Sequence, residues 1–135
     1  MIHVFCNERG SGKTKALINL ANEKVLESKG HVVYIDDDMR PLLVLDRKIR
    51  FVNTNDFDLE LEESFYGFLC GIVSEDYDVD TIFVDGLLNI VDMEIEDAAH
   101  LFCSLEKLTK KSGVDFYINI NGEENVPEFM KKYVA

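Results

Sequence analysis

The chain lacks a paired cysteine motif. Cys6, Cys70 and Cys103 are odd in number and widely spaced, with no C-x-x-C pair, which argues against zinc or dithiol redox chemistry and predicts reduced thiols in the core. His3, His31 and His100 are equally scattered, and none has a second ligand at metal spacing in the sequence. No apolar run approaches the roughly 18 residues of a membrane span. The N-terminus also lacks the basic and apolar segments of a signal peptide, so a cytoplasmic location is expected. Positive charge is scarce: 14 Lys and Arg stand against 26 Asp and Glu, a net charge of −12. That balance opposes general attraction to DNA, RNA or an anionic membrane. Neither an internal repeat nor a low-complexity linker is visible. What remains is 135 residues, 47% hydrophobic and 30% charged, the composition of one globular domain spanning 1–135. Such a chain can bury a continuous core but not a second one, so a partner domain would be another chain.

An apolar run, Ile2 to Cys6, stops abruptly at Asn7-Glu8-Arg9-Gly10-Ser11-Gly12-Lys13-Thr14, and a helical pattern then begins. This stretch reads as a phosphate-binding loop. Glycines let successive backbone N–H groups turn inward around a phosphate, Lys13 brings a mobile charge to the outer phosphates, and Thr14 can place its hydroxyl on a magnesium ion. The positive end of the following helix adds to the same site. The template G-x-x-x-x-G-K-[ST] is met by Gly12-Lys13-Thr14, whereas Asn7 stands where its first glycine is expected. Asparagine tolerates left-handed backbone angles better than other non-glycine residues, so the loop can still close. The candidate phosphate-contacting set is Asn7, Arg9, Gly10, Ser11, Gly12, Lys13, Thr14 and Lys15. The competing explanation is an ordinary strand-to-helix turn; the apolar strand before and the amphipathic helix after favour the phosphate loop.

Leu17, Leu20, Ala21 and Val25 recur at helical spacing and predict a first helix from Gly12 to Lys29, capped by Gly30. His31 to Ile35 is a short β-branched run and predicts a strand that delivers Asp36, Asp37 and Asp38 to its carboxyl end. Ligands bind at that edge of open parallel sheets, so these carboxylates could serve a metal-bound water or a substrate hydroxyl; a solvated turn is the alternative. Arg40, Arg47, Lys48 and Arg50 form a basic group that reads as a substrate- or phosphate-facing edge or, more commonly, a solvated charged face. Ile49 to Val52 predicts a short strand. A second helix carries Leu61, Phe65, Phe68, Leu69, Ile72 and Val73 on one stripe, with Asp58 as its expected cap and Glu60, Glu62 and Glu63 at its positive end.

Thr81-Ile82-Phe83-Val84 then predicts a buried strand with Asp85 just beyond it. This is the Walker B pattern, since a magnesium ion bridging two phosphates needs a carboxylate across from the loop hydroxyl. Thr14 and Asp85 are thus the candidate metal residues, and Lys13 and Asp85 the candidate catalytic ones. A third helix is predicted over Glu94 to Lys111, ended by Gly113, and a strand over Val114 to Ile120 brings Asn119 and Asn121 to the same edge. Pro127 predicts the start of a terminal helix.

Strand and helix alternate throughout, which predicts an α/β fold: a three-layer αβα sandwich with a mostly parallel sheet. The loop at Asn7 to Thr14 with Ile82-Phe83-Val84-Asp85-Gly86 resembles the P-loop NTPase superfamily. Together with Tyr34-Ile35-Asp36-Asp37-Asp38, Phe65-Tyr66-Gly67-Phe68-Leu69-Cys70-Gly71 and Pro127-Glu128-Phe129, nearly the whole chain resembles small bacterial proteins labelled twitching motility protein PilT. The resemblance implies a P-loop fold, ATP or GTP as ligand, and magnesium. Gly86 stands where many motor-type P-loop ATPases carry a water-polarising glutamate, so slow or partner-activated hydrolysis is expected, with a protein partner or self-association. Two alternatives are a small-molecule or nucleoside kinase-like phosphotransferase and a non-catalytic module that binds nucleotide as a conformational ligand. The strand ending in Ile35-Asp36-Asp37-Asp38-Met39-Arg40 is loosely similar to that of thymidine kinases, whose zinc lasso is absent.

Overall fold

The computed structural model of the chain describes residues 1–7, 13–121 and 125–134. Five strands, β1 (Ile2–Asn7), β2 (His31–Asp36), β3 (Arg50–Asn53), β4 (Val79–Val84) and β5 (Asp115–Asn121), form one sheet in the order β1-β5-β4-β2-β3. Every pairing is parallel. Parallel neighbours need crossovers: α1 (Lys13–Glu27) leads from β1 to β2, a 3-10 turn (Arg40–Leu43) lies between β2 and β3, α2 (Glu62–Glu75) leads from β3 to β4, and α3 (Leu87–Ile90) with α4 (Ala99–Ser112) leads from β4 to β5.

The strands are apolar on both faces, as a doubly covered sheet requires. Alternation splits them. Val32, Tyr34, Phe83 and Tyr117 join Leu17, Ile18, Ala21 and Val25 of α1 in one cluster. Val33, Ile35, Ile82, Val84, Phe116 and Ile118 face the other way, into a cluster with Phe65, Leu69 and Ile72 of α2, Leu87 and Ile90 of α3 and Leu101, Phe102 and Leu105 of α4. One helix therefore covers one face and three cover the other.

Several local expectations are corrected. Gly30 does not end α1 in a left-handed cap: positive φ among the described glycines is confined to Gly86 and Gly113. Gly30 is needed because a Cβ there would lie 2.2 Å from the carbonyl oxygen of Asp78. Gly113, at φ 79°, does terminate α4 as expected. Asp58 caps nothing; Leu61 precedes α2 without a side-chain cap. The segment predicted as one helix from Glu94 splits into a 3-10 turn, Ile95–Asp97, and α4. Pro127 precedes a 3-10 stretch, Glu128–Tyr133, rather than an α-helix. Cys103 is exposed on α4, while Cys6 and Cys70 are half-buried.

Candidate functional site

Because all five strands run the same way, the residues closing β1, β2, β4 and β5 meet at one edge of the sheet. Asp85 is at its centre. Its backbone N–H continues the β2–β4 ladder by donating to Ile35 O at 2.9 Å, and its side chain is almost wholly buried. Three donors converge on this carboxylate. Tyr34 OH donates to Oδ2 at 2.9 Å, Asn119 Nδ2 to Oδ1 at 3.1 Å, and Thr14 Oγ1 to Oδ1 at 3.4 Å. The first two are of ordinary length; the third is long for a hydroxyl donor. Thr14 is 71 residues away in sequence, and it reaches Asp85 because it stands in the first turn of α1, beside the end of β1.

Asp36, the last residue of β2, is 5% exposed. Burial, and then the charge of Asp85, pushes its carboxyl up to about 8. Burial likewise drives the Tyr34 phenol far above its usual range, reinforced by Asp85, so Tyr34 acts as a donor. Asp36 Oδ1 accepts the Asp38 backbone N–H at 3.1 Å. Asp38 is held below the usual carboxylate range by the Arg40 guanidinium, whose Nε lies 2.7 Å from Oδ2. An open cleft of about 460 Å³ joins these groups, with Thr14, Asp36 and Asp85 on its polar side and Ile18, Pro41 and Val44 on its apolar side.

Of the residues singled out in the sequence, Thr14, Asp85, Asp36 and Asn119 are brought together here. Asn7 closes β1 and Lys13 opens α1; Lys15 is exposed on α1. Arg9, Gly10, Ser11 and Gly12 lie outside the described residues. Among the second basic group, Arg40 alone lines the cleft. Arg50 opens β3 at the opposite end of the sheet, so the group does not form one phosphate-facing edge. Gly86 has φ 75°, a left-handed conformation that strongly disfavours a glutamate at this position. Two participants were missed in the sequence. Tyr34 was hidden in an apolar run, where its only signal was a polar tip two residues before Asp36. Asn89 of α3 lines the cleft on a helix that periodicity did not reveal.

The oxygen donors Thr14 and Asp85 suit a hard cation such as magnesium. At the far end of the sheet His31, Asp76 and Asp78 also converge, with His31 Nδ1 2.6 Å from Asp76 Oδ2. That group is largely solvent-facing and reads as a surface ion pair that raises the His31 pKa. No helix among the described residues is long and apolar enough to cross a membrane. No protein-family model matches the chain, and a search of the curated proteins finds no match to it.

Proposed function

We propose that the chain is a nucleotide-binding protein of the P-loop NTPase kind, taking ATP or GTP with magnesium and hydrolysing it slowly without a partner. The observation that carries this is the meeting of Thr14 and Asp85 at the carboxyl edge of a parallel sheet, 3.4 Å apart. A phosphate loop from Asn7 to Thr14 would sit between β1 and α1, where the amino end of a 15-residue helix favours anions. Lys13 would neutralise the outer phosphates, while Thr14 and Asp85 would hold magnesium, which supplies charge neutralisation during phosphoryl transfer. Tyr34 and Asn119 keep Asp85 oriented for that task. Asp36, rather than any residue at 86, is the acidic side chain nearest in role to a water-orienting group, since its carboxyl, protonated up to about pH 8, lines the cleft beside Thr14 and Asp85.

A small-molecule phosphotransferase is the second reading. It is favoured by the cleft itself, which offers a hydroxylated acceptor both a carboxylate and an apolar wall. The first experiment is the melting temperature of the full chain against a nucleotide panel with and without magnesium. A ligand restricted to the folded state stabilises it by about 2.7 kcal/mol at roughly one hundred times its dissociation constant. ATP or GTP with magnesium is expected to raise the melting temperature. No shift at millimolar nucleotide, with the protein folded, would reject phosphate binding. If a shift occurs, nucleoside diphosphate formation that depends on an added hydroxylated acceptor, with the phosphoryl group recovered on that acceptor rather than as free phosphate, would favour the phosphotransferase.

A further inference from the structure

The two edges of the sheet are finished differently. Beyond β1 the C-terminal segment closes the edge, with Val134 bridging Val4 and Met130 buried in the core. At the other edge β3 pairs with β2 alone among the described residues. An unpaired edge leaves a row of N–H and C=O groups ready to template a further strand.

The chain on either side of β3 carries opposite charge and exposed apolar side chains. Before β3, Leu43 and Val44 are 86% and 60% exposed, and Arg47 and Lys48, with Arg50 at the first position of β3, are exposed too. This segment is held in place rather than frayed. Pro41, Leu45 and Ile49 are buried anchors. Asn22 of α1 donates to Val44 O at 3.0 Å and accepts from the Asp46 N–H at 2.7 Å. After β3, Asp56, Asp58 and Glu60 are exposed, interleaved with Phe57 at 51% and Leu61 at 66%.

We propose that two copies of this chain pair through β3 about a two-fold axis perpendicular to the sheet, antiparallel to each other, joining two five-stranded sheets into one. Antiparallel pairing sets the basic chain entering one β3 beside the acidic chain leaving the other. Parallel pairing would instead set base on base and acid on acid, which is repulsive. The axis also keeps like faces together. Phe51 belongs to the α1-side cluster, so its strand neighbours Arg50 and Val52 point to the α2 side. Phe57, between Asp56 and Asp58, packs on Phe68 of α2, centroids 5.3 Å apart. The basic residues at the entry to one β3, Arg47, Lys48 and Arg50, therefore stand beside the acidic stretch Asp56 to Glu60 that leaves the partner's β3, and every contact occurs twice. Repulsion between two copies of net charge −12 is screened beyond about 8 Å at physiological salt, whereas pairs in contact are not. The contact reaches the cleft, because Asn55 Nδ2 donates to the Asp37 carbonyl oxygen at 2.6 Å.

Sedimentation velocity on the full chain over a wide concentration series at physiological salt tests this. A monomer–dimer equilibrium is expected. Arg50→Glu and Asp56→Arg should each raise the dissociation constant about tenfold, and the double variant should recover most of the loss. Both side chains are exposed, so the variants should fold; Asp58→Arg replaces Asp56→Arg if the latter lowers the melting temperature. A monomer at every concentration overturns the proposal, including the case in which this edge binds a different protein. So does a dimer that ignores both single variants, or one that the double variant fails to restore.

Discussion

Tyr34 donates its phenolic hydrogen to Asp85 Oδ2 at 2.9 Å from a fully buried position in β2. Its ring is stacked near Phe83 and Phe51, centroids 6.0 and 6.4 Å away, so Tyr34→Phe should keep the packing and remove only the donor. Asp85 Oδ2 would then be buried without its partner, at a cost of roughly 1–3 kcal/mol. The urea midpoint of the variant should fall accordingly. An unchanged midpoint would show that the hydrogen bond contributes nothing in solution.

Lys13 and Asp85 should separate by their metal dependence. Lys13→Ala removes a charged contact worth about 1.5–3 kcal/mol, or roughly ten- to hundredfold in nucleotide affinity, with or without magnesium. Asp85→Asn should weaken binding with magnesium more than binding without it. Paired calorimetry decides the matter: equal losses in both conditions would mean that Asp85 serves only to close β4.

The raised pKa of Asp36 has a consequence for stability. An ordinary Asp in the unfolded chain ionises near 3.8, whereas Asp36 in the folded chain holds its proton to about 8. Between these values the folded state binds more protons than the unfolded one, so this residue's contribution falls as pH rises across that window and is flat on either side. Asp36→Asn should therefore be more stable than the parent at pH 8 by at least about 1 kcal/mol, several degrees in Tm, and should lose that advantage near pH 4. Thermal melts of both proteins across the window, without magnesium, measure it. A constant difference would mean that Asp36 ionises normally.

If the proposed function holds, hydrolysis by the isolated chain should be slow, on the order of one turnover per minute or below, as for unassisted P-loop NTPases. Gly86 has no side chain to orient water, its φ of 75° disfavours any other residue there, and Arg40 is engaged by Asp38. Phosphate release by purified protein tests this. Several turnovers per second without a partner would reveal a complete catalytic set and retire the regulatory-module alternative.

Local pattern was enough for the class of fold. A β-branched run such as His31–Asp36 and the apolar stripe of α2 specify strand and helix through side-chain geometry that operates within a few residues. The same locality explains why Asp85 stood out, as a charge ending an apolar strand. Boundaries and caps were less legible because they depend on partners distant in sequence: Gly30 is required by the Asp78 carbonyl, and the four-residue α3 is too short to show a period. Only the tertiary structure decided the strand order, which puts β5 between β1 and β4 and so sets Asn119 against Asp85. It also decided that Tyr34, an apolar-looking strand residue, is a donor at the site, and that Asp36 is buried while its neighbours Asp37 and Asp38 remain partly exposed. Residues far apart in sequence acquire their chemistry from the low-dielectric space they share, and that space exists only once the sheet has assembled.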